Sequence, residues 1–218
     1  MDRRDLVAMM GLSTGLQAAE QNRIELPPAR TEGRMAVERA LQLRRSLRNY
    51  SRAAVTLAET AQLLWAAQGI TGRGGYRTAP SAGALYPLET FLCAGRVDAL
   101  AAGVYKYRPD RHDLIRLAEG DLRKELASAA LGQAWIREAP LTLAFAAVFR
   151  RITGRYQQRG IRYAWMEAGH AAQNVLLQAA AMGLGGVPVG AFDDRAVQRL
   201  LRMGSDEEPL YLIAAGRP

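Results

Sequence analysis

One segment constrains this chain more than any other. Between residues 161 and 182, Ala164, Ala168, Ala171, Val175, Leu176, Ala179 and Met182 recur at the spacing of a single helical face. Small apolar residues on a helix that long must be covered by something, so the other elements are expected to pack around it. Gly183-Leu184-Gly185-Gly186 ends the helix. Apolar runs of strand length stand at 89–94, 141–149, 187–192 and 210–215, and the 141–149 run reads as a central strand. Residues 104–107 and 114–117 flank Pro109-Asp110-Arg111-His112-Asp113, which predicts a hairpin. Further helices are expected over 35–45, after the capping box Thr56-Leu57-Ala58-Glu59, from a cap at Asp121 to Ala130, and over 194–203. Strands lie among helices without regular alternation and one pairing is antiparallel, so the fold class is α+β. Two regions are expected: an N-terminal segment, 1–33, whose end from residue 21 carries Pro27-Pro28 and reads as an extended connector, and one domain, 34–218.

Composition narrows the chemistry. One cysteine, Cys93, and two histidines, His112 and His170, cannot build a disulfide framework, a four-ligand zinc site or an iron-sulfur cluster from one chain. No metal site is expected. Cys93 lies inside Thr90-Phe91-Leu92-Cys93-Ala94 and reads as a buried, inert thiol. The formal charge is +8, and because Lys106 and Lys124 are the only lysines the excess is arginine, which suits bidentate phosphate binding. The arginines are scattered singly, so no nucleic-acid partner is expected. No stretch is long enough to span a membrane, since the weakly charged 6–19 segment is broken by Gly11, Ser13, Thr14, Gly15 and Gln17. Arg3-Arg4 ahead of that segment has the form of a twin-arginine export signal, against the competing reading of a surface helix. Localisation is expected to be cytoplasmic, with the periplasm as the alternative.

Three segments carry candidate chemistry. Arg44-Arg45-Ser46-Leu47-Arg48 places three guanidinium groups and a hydroxyl where a helix ends, either as a solvated end or as an oxyanion cradle. Pro80-Ser81-Ala82-Gly83-Ala84-Leu85-Tyr86-Pro87 sets small residues between prolines, so a flat ligand could approach the backbone. Residues 183–190 hold four glycines around Val187-Pro188-Val189, without the strand and helix of a dinucleotide fingerprint.

In this order, and with Gly132-Gln133-Ala134-Trp135, Ala139-Pro140, Arg162-Tyr163, Glu167-Ala168-Gly169-His170-Ala171-Ala172-Gln173-Asn174 and Gly216-Arg217-Pro218, these pieces resemble the FMN-dependent nitroreductase family, most closely its SagB-type dehydrogenase branch. The resemblance implies a mainly antiparallel central sheet flanked by helices, with FMN at a homodimer interface. It implies that Arg44, Arg45 and Ser46 hold the FMN phosphate and that Arg48 lies by the ribityl chain and pyrimidine edge. Ser81, Ala82 and Gly83 would line the isoalloxazine, Val189 and Gly190 would meet it near N5, and Arg217 would add a phosphate contact. Arg162-Tyr163 resembles the Lys-Tyr or Arg-Tyr pair of azoline-oxidising relatives, although an arginine stays protonated and is a poor base; the alternative is a snorkelling arginine beside a core tyrosine. His170 is expected to be a satisfied, at least half-buried histidine, and Glu167 and Gln173 to orient neighbours across the dimer seam. The implied activity is NAD(P)H-driven reduction of small nitro, quinone or similar acceptors by hydride transfer through flavin N5. The alternatives are an azoline dehydrogenase acting on a peptide with partner proteins, and a flavin-binding protein without turnover.

Overall fold

The computed structural model describes residues 22–218. In chain order the elements are β1 (Arg23–Glu25), α1 (Val37–Leu43), β2 (Val55–Thr56), α2 (Leu57–Gln68), β3 (Leu88–Ala94), β4 (Val97–Asp98), β5 (Gly103–Arg108), β6 (Asp113–Glu119), α3 (Arg123–Ala129), α4 (Ala134–Glu138), β7 (Leu141–Ala147), α5 (Arg150–Tyr156), α6 (Gln158–Ala181), β8 (Gly185–Val189), α7 (Asp194–Leu200) and β9 (Glu208–Gly216). A short 3-10 turn, Ala82–Ala84, precedes β3. The proposed export signal at Arg3-Arg4 lies outside the described residues.

Seven strands form one sheet in the order β1-β6-β5-β3-β7-β9-β8, and all the pairings are antiparallel. The expected α+β class is what the chain adopts. Every residue of β7 is buried, as its unbroken apolar run requires for a strand covered on both faces. One core cluster joins α2 and α6 to one face of the sheet, through Leu63, Leu64, Ala168, Ala171, Val175, Leu143 and Phe145. A second joins α3, α4 and α7 to the other face through Leu126, Ile136, Val197, Ala144 and Leu212. The long helix is therefore the centre of one layer.

The capping box at Thr56 is formed in both directions: the Glu59 amide donates to Thr56 Oγ1 at 3.2 Å and the Thr56 amide to Glu59 Oε2 at 2.9 Å. Several readings need correction. The strand expected over 187–192 is β8, which starts and ends earlier, and the 141–149 run is strand only to Ala147, after which the chain turns into α5. The 21–33 connector contains β1, which adds to the edge of the β5–β6 hairpin, where Arg23 donates to the buried Asp113 carboxylate at 2.7 Å alongside Arg108. Asp121 is not the cap of α3; Leu122 holds that position, and Asp121 accepts from the Arg123 amide and guanidinium just before it. The last strand starts at Glu208, with Pro209 inside it and Leu210 extra at a bulge where β9 pairs β7, a place where a strand tolerates a missing amide proton.

Candidate active site

The Arg44–Arg48 segment leaves α1 and runs along the free edge of β8. Ser46 bridges Gly186 in parallel, and the Leu47 amide donates to the Gly186 carbonyl at 3.1 Å. The approach is close enough that a Cβ on Gly185 would stand 2.7 Å from Leu47. Tyr50 fastens the segment further: its hydroxyl lies 2.8 Å from the Leu47 carbonyl and 3.1 Å from that of Ala214 in β9. Burial pushes the Tyr50 phenol well up, so it stays protonated and able to donate. The backbone is thus fixed while the charged side chains remain available. Arg45, Ser46 and Arg48 are exposed, and among the described residues no carboxylate pairs with Arg44, Arg45 or Arg48. Arg48 lies over the Trp135 ring, 5.3 Å from its centre. Arg217 is differently placed: its guanidinium donates to both Glu59 oxygens, at 2.7 and 2.9 Å, tying the end of β9 to the cap of α2.

Register places the rest. Val189 pairs with Leu212, Leu212 with Ala144 and Ala144 with Phe91, so Val189 and Gly190 stand toward the end of the sheet at which Leu88 opens β3. Ser46 and Gly186 stand toward the opposite end. Gly190, just past the end of β8, is four residue steps from Gly186, about 13 Å along an extended chain. Gly190 is exposed, and a Cβ there would meet nothing nearer than Tyr211 at 3.8 Å.

The 80–87 loop carries backbone strain. Gly83 (φ 63°), Ala84 (φ 53°) and Tyr86 (φ 45°) are all left-handed, and only the glycine takes that conformation freely. The surroundings hold it there. The Tyr86 amide donates to Ser81 Oγ at 2.9 Å, Arg77 stacks 4.5 Å over the Tyr86 ring, and Arg151 donates to the Tyr86 carbonyl. On one side Gly83 abuts α5, where an added Cβ would meet the Tyr156 hydroxyl at 2.9 Å and Arg155 at 3.1 Å. Tyr163 packs edge-on against Tyr156, with ring centres 5.2 Å apart, which links it to this loop. Its neighbour Arg162 is exposed, so the two members of the pair are in different surroundings.

His170 is exposed in the chain, as is Gln173, which corrects the expectation of a buried histidine: both fall on the outer face of α6. Glu167 falls on its inner face and is 1% exposed, and among the described residues neither carboxylate oxygen has a partner in good hydrogen-bond geometry. Burial pushes its carboxyl up to about 7, against the opposing influence of Ser81, Arg77 and Gln68. Cys93 is buried, and desolvation pushes its thiol up to about 12, as an inert core cysteine requires. Tyr156 and Arg155 were not legible in the sequence, because no apolar periodicity marks α5.

The described chain belongs in its architecture with proteins already known. The model of the nitroreductase family matches residues 41–217. This chain is a member of the nitroreductase family. Protein MJ1384 of Methanocaldococcus jannaschii, named as a nitroreductase, is 45% identical over 181 residues, covering 83% of this chain and 90% of that one. A Ralstonia eutropha JMP134 protein of known structure, also named as a nitroreductase, superposes with a TM-score of 0.80 at 32% identity, over 90% of this chain and 89% of that one. The microcin B17-processing protein McbC of Escherichia coli is 31% identical over 132 residues, 58% of this chain and 48% of McbC. As a nitroreductase-family member the protein is an oxidoreductase. Among the described residues no helix is long and apolar enough to cross a membrane.

Proposed function

We propose that this oxidoreductase binds FMN and uses NAD(P)H to reduce small nitro, quinone or similar acceptors, working as a homodimer with the flavin between subunits. The observation that carries the reading is the Arg44–Arg48 segment: three arginines and a hydroxyl, with no paired carboxylate among the described residues, on a backbone pinned to β8. Such a cluster fits a phosphate through charge-assisted bonds, although Arg45 Nη1 already donates to the Gln42 and Arg44 carbonyls, at 2.9 and 2.8 Å, and would have to turn or offer its other N–H groups. From there β8 leads past the buried Val189 to the open backbone of Gly190, where a ring could approach. Ser81, Ala82 and Gly83 stand on a separate, strained loop backed by Tyr156. Neither of two clefts, of about 450 Å3 beside Tyr86 and about 1010 Å3 between residues 30–37, α2 and α6, includes Arg44–Arg48 or residues 81–83. The two groups of candidate residues are thus open to solvent in one chain, which suits a site completed by a second copy. An apolar face stands ready for that copy: Val37 and Leu41 on α1 and Trp165 and Met166 on α6 are each at least half exposed.

Bound there, FMN would accept and return a hydride at N5, which requires no protein nucleophile. The chain's own part is electrostatic and geometric. Arg44, Arg45 and Ser46 anchor the phosphate. Arg48 opposes negative charge on the reduced ring. The strained 80–87 loop supplies a preformed surface whose conformational cost is met by folding and not by binding.

A second reading, oxidation of an azoline in a peptide, is favoured by the likeness to McbC and by Tyr163, half-buried at the loop. Arg162 in place of a lysine weighs against proton abstraction by that pair.

Purified protein is expected to carry, or take up, a flavin absorbing in the visible, and NAD(P)H is expected to bleach it anaerobically. A colourless protein that takes up no FMN would remove both readings. Flavin bleached by no nicotinamide would leave the peptide oxidation or a binder without turnover.

A further inference from the structure

Beneath the 80–87 loop lies a polar cluster that the proposed hydride transfer does not use. Glu167 of α6 faces Gln68 of α2, Arg77 just before the loop and Ser81 within it. Among the described residues neither Glu167 oxygen nor Gln68 Nε2 has a partner in good hydrogen-bond geometry, although Ser81 and Gln68 stand near enough to favour the ionised carboxyl and buried amide and carboxyl groups are nearly always satisfied. Gln68 Oε1 is occupied by Arg77, at 2.7 Å. Ser81 Oγ accepts the Tyr86 amide that closes the loop, which leaves the serine proton to be donated elsewhere. Arg77 is the charged group facing Glu167; behind it stand Glu89, Arg151 and the Tyr86 ring on which it stacks.

Resting on the flavin reading above, we propose that Glu167 is a positioning residue that supports the Ser81 turn from beneath, and that FMN binds more tightly when the Glu167 carboxyl is protonated. The sign follows from two effects that act together. A flavin laid on residues 81–83 excludes water from above the Ser81 turn and so lowers the polarity around a carboxyl that is already buried, and FMN is itself an anion. Both disfavour a carboxylate, so FMN raises the proton affinity of Glu167, and by reciprocity ionised Glu167 lowers the affinity for FMN. The carboxyl titrates near neutrality, which brings the effect into an accessible range.

The test is FMN affinity of the whole protein, by flavin fluorescence quenching, from pH 6 to 8.5 for wild type and Glu167→Gln. The FMN phosphate has its own second ionisation near pH 6, common to both proteins, so the ratio of their dissociation constants isolates Glu167. We expect the wild-type constant to rise about fivefold or more relative to that of the variant across this range. Parallel profiles overturn the proposal. Absence of FMN binding to wild type at every pH overturns the flavin reading itself, and this inference with it. If Glu167→Gln fails to fold, calorimetry of FMN binding to wild type at pH 8, in buffers of different ionisation enthalpy, gives the answer. There the phosphate is already ionised, so net proton uptake supports the proposal and its absence overturns it.

Discussion

Arg44 and Arg48 are expected to show different losses on removal. Arg44→Ala or Ser46→Ala takes away a contact to the proposed phosphate worth about 1–3 kcal/mol, so FMN affinity should fall while unfolding stays unchanged. Arg48 lies further along β8 and over Trp135, and the charge it would oppose exists mainly after reduction. Arg48→Ala should therefore lower the flavin potential by tens of millivolts, from about 2–4 kcal/mol of lost stabilisation at about 30 mV per 1.4 kcal/mol; dye equilibration measures it. An unchanged potential in flavin-saturated Arg48→Ala would make Arg48 an anchor only. Glu167 makes a prediction about stability that needs no flavin. Its folded carboxyl is raised to about 7 from an ordinary 4.5, so the folded state binds the proton more tightly than the unfolded chain. Stability then declines as pH rises from about 4.5 through 7 and is flat on this account beyond. Glu167→Gln should remove that decline, and thermal unfolding at pH 5 and pH 8 should show the variant gaining on wild type at the higher pH.

Among the elements, α2 is stapled twice at its start. Thr56 and Glu59 satisfy each other's amides, and Arg217 then binds the same Glu59 carboxylate from the end of β9. Burial alone would raise the Glu59 carboxyl, but the Thr56 amide and hydroxyl and the Arg217 guanidinium hold it below its usual range. Thr56→Ala should cost about 1–2 kcal/mol in denaturant unfolding, the ordinary value of an N-cap. Arg217→Ala separates two roles. If Arg217 serves the fold through Glu59, the variant loses stability with FMN affinity retained, and a double-mutant cycle with Glu59→Gln shows coupling. If it also reaches the phosphate, affinity falls as well.

For the molecule as a whole, the exposed Val37 and Leu41 lie on α1, beside the C-terminal end of α6, while the exposed Trp165 and Met166 lie nearer its start, so a second copy laid along α6 would cover both patches. Trp165→Glu should shift the protein toward monomer in sedimentation analysis, because a carboxylate would be desolvated there without a partner. On the proposed reading the same variant should also bind FMN less tightly. A monomeric wild type that binds FMN normally would sink the shared-site reading while leaving the family assignment untouched.

Local signals were enough for much of this. The apolar stripe of α6, the Thr56 capping box, the turn between β5 and β6 and the unbroken apolar run of β7 each depend on residues near one another in the chain, and each formed where its pattern placed it. The cationic character of Arg44–Arg48 and the small-residue loop at 80–87 were equally legible, being matters of residue type. What the tertiary structure decided involves partners far apart. Three residues, Arg23-Ile24-Glu25, become a strand beside β6, where Asp113, ninety positions on, collects Arg23 and Arg108. The bridge from Ser46 to Gly186 turns a helix end into an edge beside β8, and Arg217 finds Glu59 instead of solvent. Which side of α6 each polar residue occupies also became visible only in the fold, with His170 outside and Glu167 enclosed. A charge pattern along a helix does not say what the facing elements offer, and here Gln68, Arg77 and Ser81 offer a carboxylate too little to keep it ionised below neutrality.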